Sequence, residues 1–187
     1  DTVMDKQTEE ILQKIEEAEY VLVGLGQEFD MEFFLQSRED YRRIREQLQQ
    51  QNVLWLLPYV EEQFRRQYLP EMEAEIEKGL QKLAKVLEKK SYFVVSSSLN
   101  HKLAEVPWKK MLLKKERFVA PCGDWTKKQC PDGCEEGIQT VTEADEEQLQ
   151  ESFKKLQTNG FSVPDLGKCP KCGKKLVLNN VYAGRYD

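Results

Sequence analysis

Apolar and polar residues recur along this chain with two different periods, and the changes of period outline its elements. From Gln7 to Ala18 the apolar positions are Ile11, Leu12, Ile15 and Ala18, a spacing that places them on one face of a helix. Tyr20-Val21-Leu22-Val23-Gly24-Leu25-Gly26 then runs unbroken to its glycines, which predicts a parallel strand covered on both faces. From Phe29 to Gln51 the pattern is helical and densely charged. Val53 to Leu57 has the composition of a short strand, but Pro58 and the residues after it favour an apolar helix starting there. Between Glu71 and Lys90, the stripe Met72, Ile76, Leu80, Leu83 and Leu87 predicts a helix with a core-facing side. Tyr92 to Ser96 reads as a second buried strand, and Arg117 to Ala120 as a third, weaker one.

Helix, strand, helices, strand, short helix, strand is the order of an α/β fold with a Rossmann-like parallel sheet. Ligands of such sheets gather at the carboxyl ends of the strands. Here those ends carry Gly24-Leu25-Gly26, then Ser96-Ser97-Ser98-Leu99-Asn100, then Cys122-Gly123-Asp124. Beyond Cys122 the composition changes. Cys130 and Cys134 form one close pair, and Cys169 and Cys172 another. Two such pairs let four thiolates converge on one tetrahedral zinc, and Gly173 permits the tight turn that aims the second pair. Reduced, unliganded thiols are the alternative. A closed four-cysteine site has no open position, so it builds a scaffold and catalyses nothing by itself. The acidic segment Glu143 to Glu151 leads into a helix, and a loop with Asn159-Gly160 and Pro164 returns the chain to the second pair. The expected organisation is a Rossmann-like domain over residues 1–128 and a zinc ribbon with a helical insert over 129–187.

Composition narrows the chemistry. The net charge of -5 argues against broad nucleic-acid binding, which needs a basic surface to displace counterions. The basic stretch Lys109 to Arg117 reads as a solvated helix face. No apolar run is long enough to cross a membrane, and the first residues lack a signal-peptide pattern. A reducing cytoplasm is the expected compartment. His101 is the one histidine, so triad hydrolysis and histidine-rich metal catalysis would all depend on it. No Walker loop is present.

Taken in order, these parts resemble the sirtuin family, especially the zinc-containing branch encoded beside macrodomains in bacteria. Ala18 to Gly26 resembles the family's first strand and Gly-Ala-Gly turn. Tyr92 to His101 resembles the strand that ends in Thr-Thr-Asn-Val-Asp-His. Gly123-Asp124-Trp125 with Gln129-Cys130 and Cys134 resembles Gln-Gly-Asp-Tyr-Gly followed by Gln-Cys and Cys. Cys169-Pro170-Lys171-Cys172-Gly173, with Asn179, resembles the second half of the family's zinc ribbon.

The resemblance implies NAD-dependent removal of an acyl group from a protein lysine, or ADP-ribosyl transfer to a protein. It puts Gly24 and Gly26 at the pyrophosphate, Ser98 and Asn100 at the nicotinamide ribose, Cys122 at the general-base position, and zinc on the four cysteines. Several residues depart from the family pattern. Gln27-Glu28-Phe29-Asp30 stands where small residues and a serine cradle NAD, and carboxylates beside a phosphate repel it unless they point away. Ser98 and Asn100 replace an Asn and an Asp, and Cys122 replaces a histidine or glutamine. For Cys122 the competing reading is a small buried hydrophobe. Family members also continue with two or three further strands, so the chain is expected to be part of a longer protein. Two further readings stay open beside the enzyme. One is a binding module that keeps the fold and zinc but has lost the reaction. The other is a helical domain with a zinc ribbon that binds a partner through Val53 to Leu57.

Overall fold

The computed structural model describes residues 3–26, 29–100, 102–103 and 113–180, and gives a mixed α/β chain with two three-stranded sheets. Helix α1, Lys6–Glu17, starts at Asp5, whose carboxylate accepts the Thr8 N–H at 2.8 Å. Strand β1, Tyr20–Leu25, pairs in parallel with β2, Ser91–Ser96, from Tyr20↔Ser91 to Leu25↔Ser96. The two-residue β3, Phe118–Val119, adds to the other side of β2 through Val94↔Phe118, also in parallel.

Between β1 and β2 lie four helices. The continuous helix expected from Phe29 to Gln51 is broken into α2, Glu32–Leu35, and α3, Glu39–Gln50. The break has a local cause. The Asp40 carboxylate accepts from the Tyr41 N–H at 2.8 Å and from the Arg38 guanidinium at 3.0 Å, while Arg38 itself is extended. Such short-range bonds compete with the helical ladder. A single 3₁₀ turn, Leu54–Leu56, leads into α4, Leu57–Tyr68, with Pro58 in its first turn, where a missing N–H costs nothing. Helix α5, Pro70–Leu87, follows.

The expectation of a doubly covered sheet is corrected. Leu25, Tyr92 and Val94 point inward against Leu80, Leu87 and Leu103. On the other face Tyr20 and Leu22 are 74% and 76% exposed, and Phe93 and Val119 are both 41% exposed. Apolar identity on both sides of a strand records a capacity for burial, whereas burial itself needs a packing partner. Among the described residues none covers this face.

The second sheet is antiparallel, in the order β5-β4-β6, formed by β4, Gly123–Gln129, β5, Gln139–Thr140, and β6, Val177–Asn180. Its first strand begins at Gly123. Gly123 has φ +116, and a Cβ there would run into the Asn179 backbone, so the start of β4 requires glycine. Helix α6, Glu143–Gln157, opens with a reciprocal cap between Thr142 and Asp145. Asp145 also pairs with the buried Lys128 of β4 at 2.8 Å, and Lys128 donates to the Leu166 carbonyl at 2.7 Å.

One core joins this module to the helices that precede it. Leu149, Phe153 and Leu156 of α6 and Leu176 to Leu178 pack with Tyr41, Ile44 and Leu48 of α3 and Tyr59 and Phe64 of α4. Val53, Trp55 and Leu56 are buried in the same core, and Asn180 Nδ2 donates to the Trp55 carbonyl at 2.7 Å. The segment proposed above as a partner surface is thus interior. Ile76 of α5 packs against this core and also against the cluster under β1 and β2.

Candidate functional site

Two turns of the same design bring the four cysteines together. In the first, Gly133 (φ +75) lets its own N–H reach the Cys130 carbonyl at 3.0 Å, and the Asp132 N–H points at Cys130 Sγ, 3.4 Å away. In the second, Gly173 (φ +75) donates to the Cys169 carbonyl at 2.9 Å, and Cys169 N–H donates to Lys174 O at 2.8 Å. Left-handed backbone at both glycines carries no Cβ penalty. The sulfurs of Cys130, Cys134, Cys169 and Cys172 all lie within 4.8 Å of one another, with Cys130 and Cys172 at 3.4 Å. A tetrahedral zinc with Zn–S bonds of about 2.3 Å sets its sulfurs about 3.8 Å apart, so the set is compatible with zinc. The 3.4 Å separation is far beyond the S–S bond length of about 2.05 Å, so this pair is not a disulfide.

The surroundings suit thiolates. Burial pushes the Cys130 thiol up, but N–H groups of Asp132 and Cys134 outweigh this and hold it at about 7. The Cys130 sulfur beside it, with burial, pushes Cys134 up to about 12. A divalent cation bound by the four sulfurs would favour their deprotonated forms. Lys174 bridges the two turns through Asp132 at 2.6 Å, and Lys171 approaches Glu136 at 3.6 Å. Both lysines offset the net negative charge that four thiolates would leave around one divalent ion.

A second constellation lies where β1 and β2 end. Ser97 N–H donates to the Leu25 carbonyl at 2.9 Å, so the two strand ends stay together. Ser98 and Asn100 are buried there, and both are engaged. The Ser98 hydroxyl donates to Asp30, which also accepts the Leu99 N–H at 3.1 Å. Asn100 Nδ2 donates to the Phe29 carbonyl at 3.0 Å, and its Oδ1 accepts the Lys102 N–H at 3.1 Å. Asp30 thus turns inward onto Ser98, and burial raises its carboxyl above the ordinary value despite these donors.

Helix α4 closes this cleft with Pro58, Glu61, Glu62 and Arg65, opposite Asp30 and Asn100. The free space is about 10 Å³, the room of one water. Glu61 keeps part of its side chain at the surface while its carboxyl accepts the Tyr41 hydroxyl at 2.7 Å. Burial holds the Glu61 carboxyl up at about 7 and raises Tyr41 as well. Arg65 is 2% exposed and 3.8 Å from Glu62, and its Nε and Nη2 have no hydrogen-bond acceptor among the described residues. Burial lowers its pKa.

The remaining expectations divide. Gly24 is exposed on β1, and a Cβ there would meet nothing within 4 Å, so no close approach requires the glycine. Gly26 opens the turn after β1, where its carbonyl accepts the Phe29 N–H at 3.3 Å. Cys122 is half-buried in the turn before β4 and does not line the cleft. Gln27, Glu28, His101 and Lys109 to Leu112 of the basic stretch lie outside the described residues. The sequence reading did not single out Glu61, Glu62 and Arg65. Their signal was present: positions 58, 61, 62 and 65 share one helix face, and three of them are charged beside the apolar residues Tyr59, Val60 and Phe64.

No helix among the described residues is long and apolar enough to cross a membrane. No protein-family model matches the chain, and no curated protein matches it either.

Proposed function

We propose that this chain is a divergent sirtuin-like protein, an NAD-dependent protein-lysine deacylase or protein ADP-ribosyltransferase with an altered cofactor pocket. What carries the reading is an ordered arrangement. The ends of two parallel strands meet at Gly26 and Ser98 to Asn100, and a four-cysteine module follows the third strand directly. Zinc has a structural role in this reading, since its four ligands leave no open position.

The cleft's donors suit a polar ligand. Arg65 offers unused N–H groups, and Asp30 and Glu61 offer carboxylate oxygens to hydroxyls. When bound, NAD supplies a nicotinamide leaving group on a ribose carbon. The chain's own task is to orient that end and to manage a proton. Room for it requires Asp30 to release Ser98, because free space for one water cannot admit a nucleotide. The second substrate is a lysine-bearing or acceptor protein segment, in keeping with the family resembled.

One observation favours a second reading, a catalytically silent zinc-held scaffold that binds a protein. Asp30 and Ser98 already satisfy each other, which closes the cleft without any ligand. Calorimetric titration of NAD into the zinc-loaded protein separates the two. Micromolar binding is the expected result, and acyl-lysine and ADP-ribosylation assays then decide the reaction. Silence up to millimolar NAD would sink the enzyme reading in favour of the scaffold.

A further inference from the structure

We propose that Glu61 of α4, rather than Cys122, is the acid–base residue of the cleft, with Arg65 beside it as the charge that meets the ligand. This assignment rests on the NAD-dependent reading above and names the group that handles the proton in it. Three observations meet at this side chain. It borders a space the size of one water, where a hydroxyl nucleophile fits. One carboxylate oxygen is fixed by the Tyr41 hydroxyl at 2.7 Å, which orients the group. Beside it, the buried Arg65 lines the same space, and its Nε and Nη2 lack a hydrogen-bond acceptor among the described residues, Glu62 being 3.8 Å away.

A general base needs a pKa near working pH, so that it can accept and release a proton there, and must be within reach of ligand. Glu61 meets both conditions, being held at about 7 and only part-buried. Cys122 lies outside the lining. The titratable and charged groups facing Glu61 come from every neighbouring element: Asp30 from the loop after β1, Glu32 from α2, and Arg45 and Tyr41 from α3 act on it, and Glu62 and Arg65 of its own helix line the same space. The two acids, Asp30 and Glu32, raise it, and Tyr41 and Arg45 lower it.

The step balances simply. The nucleophile's O–H bond breaks and its proton passes to the Glu61 carboxylate while the oxygen bonds to carbon. The departing group leaves with the electron pair of its own bond, and Glu61 returns the proton to solvent.

The test follows the Glu61 carboxyl by NMR in protein carrying ¹³C-labelled glutamate, with Glu61→Gln assigning the signal. NAD binding is measured in parallel by calorimetry. The expected midpoint is about pH 7 in the free protein, displaced when NAD is added. Tyr41→Phe removes the donor that stabilises the ionised form, so its midpoint moves up. Nicotinamide release, followed across pH, should show a limb near 7 that Glu61→Gln removes and Tyr41→Phe moves up with the midpoint. A midpoint in the ordinary carboxyl range overturns the assignment. So does a limb that survives Glu61→Gln or follows Cys122→Ser, or a signal indifferent to NAD that does bind. Those outcomes leave the NAD reading standing. Failure of NAD to bind overturns that reading and this assignment together.

Discussion

At the scale of single residues, the chain spends stability where its cleft lies. The Glu61 carboxyl sits above its ordinary value in the folded protein because its ionised form is desolvated. Folding therefore favours the protonated form. This group's contribution is full below about pH 4 and is lost as the pH rises through about 7. Glu61→Gln is expected to raise stability by roughly 2 kcal/mol at pH 8, allowing for its partial exposure, and to have little effect near pH 4. Denaturant titrations at the two pH values check this, and equal effects at both would contradict it. A gain in stability on removing a functional charge is the usual trade-off at a site. The residues of this cleft were harder to read from sequence than the cysteines. The spacing of Cys130, Cys134, Cys169 and Cys172 encodes two local turns, each complete within a few residues. Glu61 becomes special only once α4 is docked against the ends of β1 and β2.

At the scale of elements, α6 shows how one side chain holds two levels of structure. Thr142 and Asp145 exchange hydrogen bonds at the helix start, and Asp145 also neutralises Lys128 inside the module. Burial pushes the Asp145 carboxyl up, but Lys128 and Thr142 outweigh it and keep the pKa low. Its contribution is therefore present above the ordinary aspartate value and fades as acid protonates it at lower pH. Thr142→Ala should cost about 1 kcal/mol, the loss of one cap. Asp145→Ala should cost about 3 kcal/mol or more, since it also leaves Lys128 buried without its charge partner. Chemical denaturation distinguishes the two, and equal losses would show that the ion pair adds nothing beyond the cap. The broken helix between Phe29 and Gln51 belongs to this scale too. Its charge pattern reads as continuous, and only the Asp40 bonds to Arg38 and Tyr41 reveal the turn.

At the scale of the whole molecule, the four-cysteine module and the helices share one core and are expected to unfold together. Cys130 and Cys169 sit in the same core as Tyr41, Ile44 and Phe64. Withdrawing metal with a chelator, or replacing Cys169 with serine, should lower the melting temperature of α3 and α4 together with the ribbon. Metal binding stabilises only the folded state, so its loss is felt by everything that folds with it. Circular dichroism at helical wavelengths and tryptophan fluorescence, to which the buried Trp55 contributes with Trp108 and Trp125, should then move in one transition. Two separated transitions, with the helical signal unchanged by chelation, would show the module to be independent. The open face of the parallel sheet is the other feature of this scale. Tyr20, Leu22, Phe93 and Val119 present there an apolar surface of the kind usually covered in parallel sheets.

By itself, the sequence determined the helices with strong periodicity, the two strand runs and the convergence of four thiols, because each is written in neighbouring residues. Tertiary structure alone decided three things. Among the described residues it left one sheet face uncovered, since burial requires a partner surface and not merely apolar side chains. It placed Val53, Trp55 and Leu56 in the core beside the four-cysteine module, with Leu54 and Leu57 packed against it. It turned Asp30 onto Ser98 and set Glu61 and Arg65 of α4 opposite Asp30 and Asn100, contacts between elements far apart in the chain that no local pattern encodes.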